Sequence, residues 1–231
     1  MRVKGGSDSS MFPDPRTADN TGLVAMTSHL DAYMLLDAYR HGLFPWSSNP
    51  VRWYSPDPRT IFLPDEIHLP RNLPKLARKA RFRVTYDRAF DAVIRGCADA
   101  HAPEGTWITP EFMNAYCELH EMGYAHSVEV WQNGNLAGGL YGVQLAGLFA
   151  GESMFFRVSN ASKVAFAKLL EQLARVRTVL FDAQVINAHT ARLGAVLIRR
   201  EDYLYLLRRA MSARVRYEGQ KWPAEPPNQP S

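Results

Sequence analysis

Apolar positions recur at helical spacing over residues 30–40, where Leu35, Leu36 and Tyr39 share a face and Gly42 stands just past the last turn. That spacing predicts a short helix. A loop rich in Pro and aromatics follows, and residues 73–80 form a second helix candidate with Pro74 tolerated in its first turn. From Ser127 the period changes to that of strands. Residues 128–131, an Asn133-Gly134 turn and residues 136–143 read as a hairpin, because Asn-Gly readily adopts the positive φ of a tight turn. Residues 148–156 read as a third strand. Ser159 or Asn160 then caps a helix through Arg175, whose Phe166, Leu169, Leu170 and Leu173 make one apolar stripe. Residues 178–183 have a buried-strand pattern, with short helices at 187–193, stopped by Gly194, and at 201–211. Strands in a run, then interleaved helices, predict an α+β domain preceded by a small lobe.

Residues 1–20 hold Gly5, Gly6, Pro13 and Pro15 and are expected to be loose or draped on the surface. The Pro-rich tail, 222–231, is expected to be an exposed, disordered end. The organisation expected is a small N-terminal domain carrying the aromatic loop over residues 1–60 and a larger domain over 61–231.

The chain has 231 residues, 46% of them hydrophobic, which suffices for a sizeable core. A formal net charge of +4 is too small to imply a nucleic-acid partner by itself. Its distribution says more. Arg71, Lys75, Arg78, Lys79, Arg81 and Arg83 occur with no acidic residue among them, either as a solvated face or as a set of phosphate contacts. Cys97 and Cys117, the two cysteines, make no disulfide framework. The first twelve residues lack an apolar segment of the secretory kind, and no apolar run reaches membrane-spanning length. These features predict a cytoplasmic protein with no membrane partner, and a monomer is favoured.

Four segments carry residue types that are costly unless used. The first runs from Phe44-Pro45-Trp46 through Trp53 and Tyr54 to Ser55-Pro56-Asp57-Pro58-Arg59, and is either a hydrophobic plug or a stacking platform. The second, Glu104-Gly105-Thr106-Trp107-Ile108-Thr109, places another Trp near a loop. In the third, GLFAGESMFF, Glu152 interrupts an apolar strand and either faces solvent or lines a pocket. In the fourth, FDAQVINAHTARLGA, alternation puts Asp182 and Gln184 on one side of a strand end, where they orient an amine or merely cap a helix.

Together these segments resemble the leucyl/phenylalanyl-tRNA–protein transferase family. The matching stretches are GLFPW, WYSPDPR, EGTWIT, HSVEVW, GGLYGV, GESMF, NASK and DAQVINAHTARLGA, in the family's order from Gly42 to Gly194. The resemblance implies a small N-terminal domain followed by a catalytic domain like the acyltransferase fold of N-acetyltransferases. It implies transfer of Leu, Phe or, less well, Met from aminoacyl-tRNA to proteins with N-terminal Arg or Lys, marking them for N-degron degradation. The chain departs from the family at Met26-Thr27-Ser28-His29-Leu30, where a Gly-Gly-Asp-Leu run is usual, and at Leu140, Ala183 and Ala188.

The aminoacyl ester is already activated, so the transfer calls for no ATP, metal or other cofactor. It calls for a neutral amine held against the ester carbonyl, a proton acceptor and support for a tetrahedral oxyanion. Gln184 is no base, but its carbonyl accepts a hydrogen bond from the amine, with Asp182 polarising that contact or relaying a proton. Glu152 grips either the acceptor's N-terminus or the aminoacyl ammonium. Leu140, Phe149, Met154 and Phe181 are expected to wall an apolar pocket, while Trp46 and Trp107 suit stacking on the terminal adenosine, worth about 1–3 kcal/mol per base. Arg71, Lys75, Arg78, Lys79, Arg81 and Arg83 are the expected tRNA contacts.

Three other readings compete. Cys97-x3-His101 and Cys117-x2-His120 have irregular spacing for zinc, and packed core cysteines are the preferred reading. An acyl-CoA-dependent N-acetyltransferase needs a pyrophosphate cradle before a helix, and the nearest approach, Gln144-x-x-Gly147-x-Phe149, lies between strands. A non-catalytic tRNA-binding module keeps the basic run but leaves Glu152, Asp182 and Gln184 without a purpose.

Overall fold

The computed structural model describes residues 10–47, 49–63 and 66–224. The N-terminal lobe contains β1 (Leu23–Thr27), α1 (Ala32–Arg40), β2 (Phe44–Pro45) and β3 (Val51–Tyr54). Its three strands form an antiparallel sheet in the order β1-β3-β2, so the aromatic loop is partly strand. Asp31 caps α1 by accepting from the Met34 amide, which starts the helix two residues later than its apolar pattern. Leu35, Leu36 and Tyr39 are buried as their spacing requires, and Gly42 ends the turn at φ +85°.

Next come β4 (Arg59–Phe62), α2 (Leu73–Lys79), β5 (Arg83–Tyr86), α3 (Phe90–His101) and α4 (Pro110–Glu121). The hairpin β6 (Ala125–Gln132) and β7 (Asn135–Leu145) leads to β8 (Leu148–Phe156), α5 (Ala161–Val176) and β9 (Leu180–Gln184). The order closes with α6 (Ala188–Arg192), β10 (Ala195–Ile198) and α7 (Arg200–Met211). Asn160 precedes α5 in the left-handed region, and its side chain makes no capping bond. The architecture is α+β with a small N-terminal lobe.

Seven strands form one sheet in the order β10-β4-β9-β8-β7-β6-β5, antiparallel except for the β8–β9 pair. The apolar stripe of α5 packs Phe166, Leu169 and Leu173 with Val128, Val130 and Phe149 on one face. On the other face, α3, α4 and α7 share a core with α1 and β3 of the small lobe, through Leu35, Tyr39, Trp53, Ile94, Tyr116 and Tyr203. Burial of these large side chains, each worth about 1.5–3 kcal/mol, joins lobe and sheet into one hydrophobic unit.

The chain ends depart from expectation. Phe12 is buried with its ring 4.6 Å from that of Trp53, so residues 10–20 are anchored. Trp222 is 3% exposed, stacked 4.2 Å from the His126 ring, and its amide donates to Asp87 at 2.6 Å. A buried indole outweighs the tail's Pro-rich composition. The Tyr86 amide then donates to the Ala224 carbonyl, so this segment lies along the edge strand β5. Residues 1–9 and 225–231 lie outside the described residues.

Candidate active site

β8 and β9 pair in parallel only at Leu148–Leu180, Phe149–Phe181 and Ala150–Asp182, then separate. Two bulges accompany the separation. Tyr141 pairs with Ser153 and Gly142 with Gly151, so Glu152 is the extra residue of β8; Thr60 pairs with Gln184 and Ile61 with Asp182, so Ala183 is the extra residue of β9. Bulges re-aim side chains and bend the strand that carries them. The wedge they open is a pocket of about 480 Å³. Phe149, Leu140, Met154 and Phe181, the four residues read from sequence as an apolar wall, line it with Phe62, Phe166 and Leu169. Glu152, Gln184 and His189 supply polar groups to the same pocket. Trp46, 45% exposed, and half-buried Trp107, packed edge-on against Phe112, also line it.

Glu152 is held by three elements. Tyr39 of α1 donates to Oε1 at 2.7 Å, Tyr116 of α4 to Oε2 at 3.1 Å, and Gln184 Nε2 of β9 to Oε1 at 2.8 Å. The two tyrosine hydroxyls also lie 2.7 Å apart. These three oxygen–oxygen contacts have two hydroxyl protons between them, and a proton on Glu152 completes the ring. Burial acts in the same direction, pushing the Glu152 carboxyl up to about 7 against the lowering effect of the tyrosine hydrogen bonds, while the Asp182 charge adds to the rise.

Asp182 corrects the sequence reading. It is fully buried and absent from the pocket lining, rather than side by side with Gln184. Arg59 Nε and Nη2 donate to its two oxygens at 2.9 and 2.6 Å, Tyr203 Oη donates at 2.9 Å, and the Gln184 backbone amide at 2.8 Å. Arg59 also donates to the Gly42 carbonyl and lies between the rings of Phe44 and Tyr203. Burial pulls the guanidinium's pKa down, but the Asp182 charge, its hydrogen bonds and the neighbouring tyrosines Tyr203 and Tyr39 together offset this, and the net shift is upward. The bulge at Ala183 and the left-handed Gln184, φ +62°, break the alternation that had put the two side chains on one face. Asp182 therefore grips the backbone that presents Gln184 and does not itself reach the pocket.

Gln184 is oriented from both ends. Glu152 Oε1 accepts from Tyr39 and also from the Gln184 amide nitrogen, which leaves Gln184 Oε1 as a free acceptor among the described residues. Arg59 was legible only as the end of an aromatic segment and Tyr39 only as part of a helix face, while Tyr116 and Tyr203 were not singled out by sequence. His189 follows the Asn187 cap of α6, and its Nε2 lies 3.0 Å from Met154 Sδ. Burial lowers its pKa and favours the neutral ring. The His in an Asn-x-His cap was its only sequence signal.

The basic run is not part of this pocket. Arg71, Lys75, Arg78 and Lys79 are exposed on and before α2, which packs against α5, while Arg81 and Arg83 lie beyond it. His120 Nδ1 donates to the Ala125 carbonyl and its ring stacks on Phe90, while burial pushes the Cys97 thiol up to about 12. Among the described residues, no group of three or more His, Cys, Asp or Glu side chains is arranged to hold a metal ion. Gln144 is buried near the end of β7 and Gly147 lies in the turn to β8, where its amide donates to the Ala210 carbonyl rather than facing a pyrophosphate. Among the described residues, no helix is long and apolar enough to cross a membrane.

Residues 61–208 match the model of the leucyl/phenylalanyl-tRNA protein transferase family, and residues 28–57 that of the family's N-terminal domain. The leucyl/phenylalanyl-tRNA–protein transferase of Pseudomonas fluorescens (strain SBW25) is 52% identical over 206 residues, covering 87% of this chain and 91% of the relative. That of Syntrophus aciditrophicus (strain SB) is 51% identical over 205 residues, covering 87% and 86%. Among solved structures, a GCN5-related N-acetyltransferase from Kribbella flavida is similar at 14% identity and a TM-score of 0.35, over 71% of this chain and 59% of that one. The likeness of sequence runs through both lobes and includes the strands that build the pocket, and on it the chain belongs to the leucyl/phenylalanyl-tRNA protein transferase family.

Proposed function

We propose that the chain moves Leu, Phe and, less well, Met from aminoacyl-tRNA to the α-amino group of proteins that begin with Arg or Lys. The observation that carries this reading is the apolar wedge between β8 and β9, with a fixed hydrogen-bond acceptor, Gln184 Oε1, at its polar end. The aminoacyl side chain occupies the apolar wall, and the terminal adenosine stacks at Trp46 and Trp107. The acceptor amine donates to Gln184 Oε1 while its nitrogen attacks the ester carbonyl carbon. The new C–N bond forms, the bond to the ribose oxygen breaks, and the amine proton ends on that leaving oxygen or on water.

Glu152 holds the amide of Gln184 and attracts the ammonium of a substrate when ionised. Asp182 is a positioning residue, acting through the Gln184 backbone with Arg59 as its counter-charge. Arg71, Lys75, Arg78, Lys79, Arg81 and Arg83 are assigned to tRNA phosphates. Residues 1–60 serve as a small domain that brings Tyr39 and Trp46 to a catalytic domain over 61–231. The setting proposed is the cytoplasm, where a new N-terminal Leu or Phe marks the acceptor for degradation.

Mass spectrometry of an Arg-initiated peptide incubated with the chain and Leu-tRNA tests this. The reading expects a gain of one Leu residue at the N-terminus, and none with acetyl-CoA. No gain with Leu-tRNA, or an equal gain from Asp-tRNA, overturns it, because an apolar wall rejects a charged donor through desolvation.

A further inference from the structure

Pairing of β5 with β6 sets Arg83 opposite Trp131 and Thr85 opposite Glu129, all on the sheet face away from α5. Trp131 Nε1 donates to Thr85 Oγ1 at 2.8 Å, and Thr85 in turn donates to buried Glu129, so the indole is pinned edge-on. Arg81, left-handed at φ +52° between α2 and β5, and Arg88 after β5 join Arg83 around this ring. The Asn133-Gly134 turn closes the far wall of a pocket of about 300 Å³. A Cβ on Gly134 would meet nothing within 4 Å, so that side is open.

Among the described residues, the charged side chains that line the pocket are all arginines. Two acids next to β5 and β6 are committed elsewhere: Asp87 accepts from His126, the Ser127 amide and the Trp222 amide, and Glu129 accepts from Ser127 and Thr85. Among the described residues, no carboxylate lines the pocket, and Arg81 and Arg88 make no ion pair. Guanidinium forks match phosphate oxygens in pairs, and an indole offers a surface to any base. The volume lies at the lower end for ligand pockets and suits a single nucleotide.

We infer that this pocket takes one nucleotide of the donor tRNA, phosphate on Arg81 and Arg88 and base against Trp131, remote from the aminoacylated end. The inference rests on the tRNA-donor reading above. Strand spacing of about 4.8 Å and a rise of about 3.3 Å per residue put it roughly 15–20 Å from the wedge. A stacked strand rises about 3.4 Å per nucleotide, so the two pockets take nucleotides several positions apart. The sequence run had assigned Arg81 and Arg83 to phosphates; Arg88, Trp131 and the hairpin turn make a site of them. An acidic protein segment satisfies the arginines but leaves the aromatic wall unused.

The test compares the full-length chain with Arg88→Ala and Arg88→Glu, using an acceptor-stem minihelix and a trinucleotide ending in the same 3′ sequence. Minihelix affinity is expected to fall in Arg88→Ala, with the slope of log K against log salt reduced by about 0.7–0.9, and further in Arg88→Glu. Trinucleotide affinity and transfer from aminoacyl-adenosine are expected to stay at wild-type values. An unchanged minihelix slope, equal losses for both RNAs, or displacement of the minihelix by a poly-Glu peptide only when Arg88 is present overturns the site. Failure of the wild-type chain to transfer from either donor overturns the tRNA reading itself, a separate outcome.

Discussion

Asp182→Asn is nearly isosteric and on sequence grounds looks like a clean removal of charge. The structure makes it a folding perturbation as well. Asp182 and Arg59 have no exposed side-chain surface and form a two-point ion pair, with contacts of 2.9 and 2.6 Å. Neutralising one partner leaves the other buried without a counter-charge, at a cost of about 3–5 kcal/mol. For a chain of this size each kcal/mol lowers Tm by about 2–4 °C, so a fall of roughly 6–20 °C is expected. Thermal unfolding followed by circular dichroism measures it. The double variant Arg59→Met/Asp182→Asn removes the orphaned charge and is expected to recover at least half of that loss. Transfer in the double variant stays slow, because an Asn amide does not hold the Gln184 backbone as the carboxylate does. A Tm for Asp182→Asn within 2 °C of wild type, or no recovery in the double variant, refutes the argument.

With its carboxyl raised to about 7, Glu152 ionises as pH passes that value, so transfer is expected to increase through pH 7. Glu152→Gln removes this limb and leaves that of the acceptor amine at about 7.7–8, so an unchanged pH–rate profile counts against the assignment. The folded chain holds the Glu152 proton more tightly than the unfolded chain, so this group's contribution to stability declines as pH rises from about 4.5 to 7; denaturant unfolding of Glu152→Gln should show a smaller decline over that range. Trp222→Ala empties a buried site between His126, Phe149 and Tyr86, and a loss of about 3–5 kcal/mol in urea unfolding is expected. An effect below about 1 kcal/mol would return the segment to a surface tail.

The sequence made legible what depends on neighbours along the chain. The periodicity of α5, the Asn133-Gly134 turn and β8 all appear where local pattern places them, because each element buries one continuous face. The four apolar wall residues follow from those elements. What pairs across the chain was not legible. Arg59 and Asp182 are 123 positions apart, and nothing near either announces a partner. The bulges at Glu152 and Ala183 leave no trace in an alternating pattern, yet they decide which side chains enter the wedge. The helices α3 and α4 carry stripes at the same i, i+3, i+4, i+7 spacing, Phe90, Val93, Ile94 and Cys97 on one and Phe112, Ala115, Tyr116 and Leu119 on the other, so their periodicity was legible as well.

The central claim is that transfer runs through the acceptor that Glu152 and Asp182 jointly fix at Gln184. Single-turnover transfer from aminoacyl-adenosine to an Arg-initiated peptide, at saturating donor and acceptor, tests it with Gln184→Ala. Gln184 touches no tRNA stem in this account, so affinity for the aminoacyl-tRNA should stay within about twofold while the transfer rate falls roughly 10²-fold, the scale of a lost orienting contact. A rate near that of the wild-type chain would contradict the account and leave the apolar wedge as a binding pocket alone.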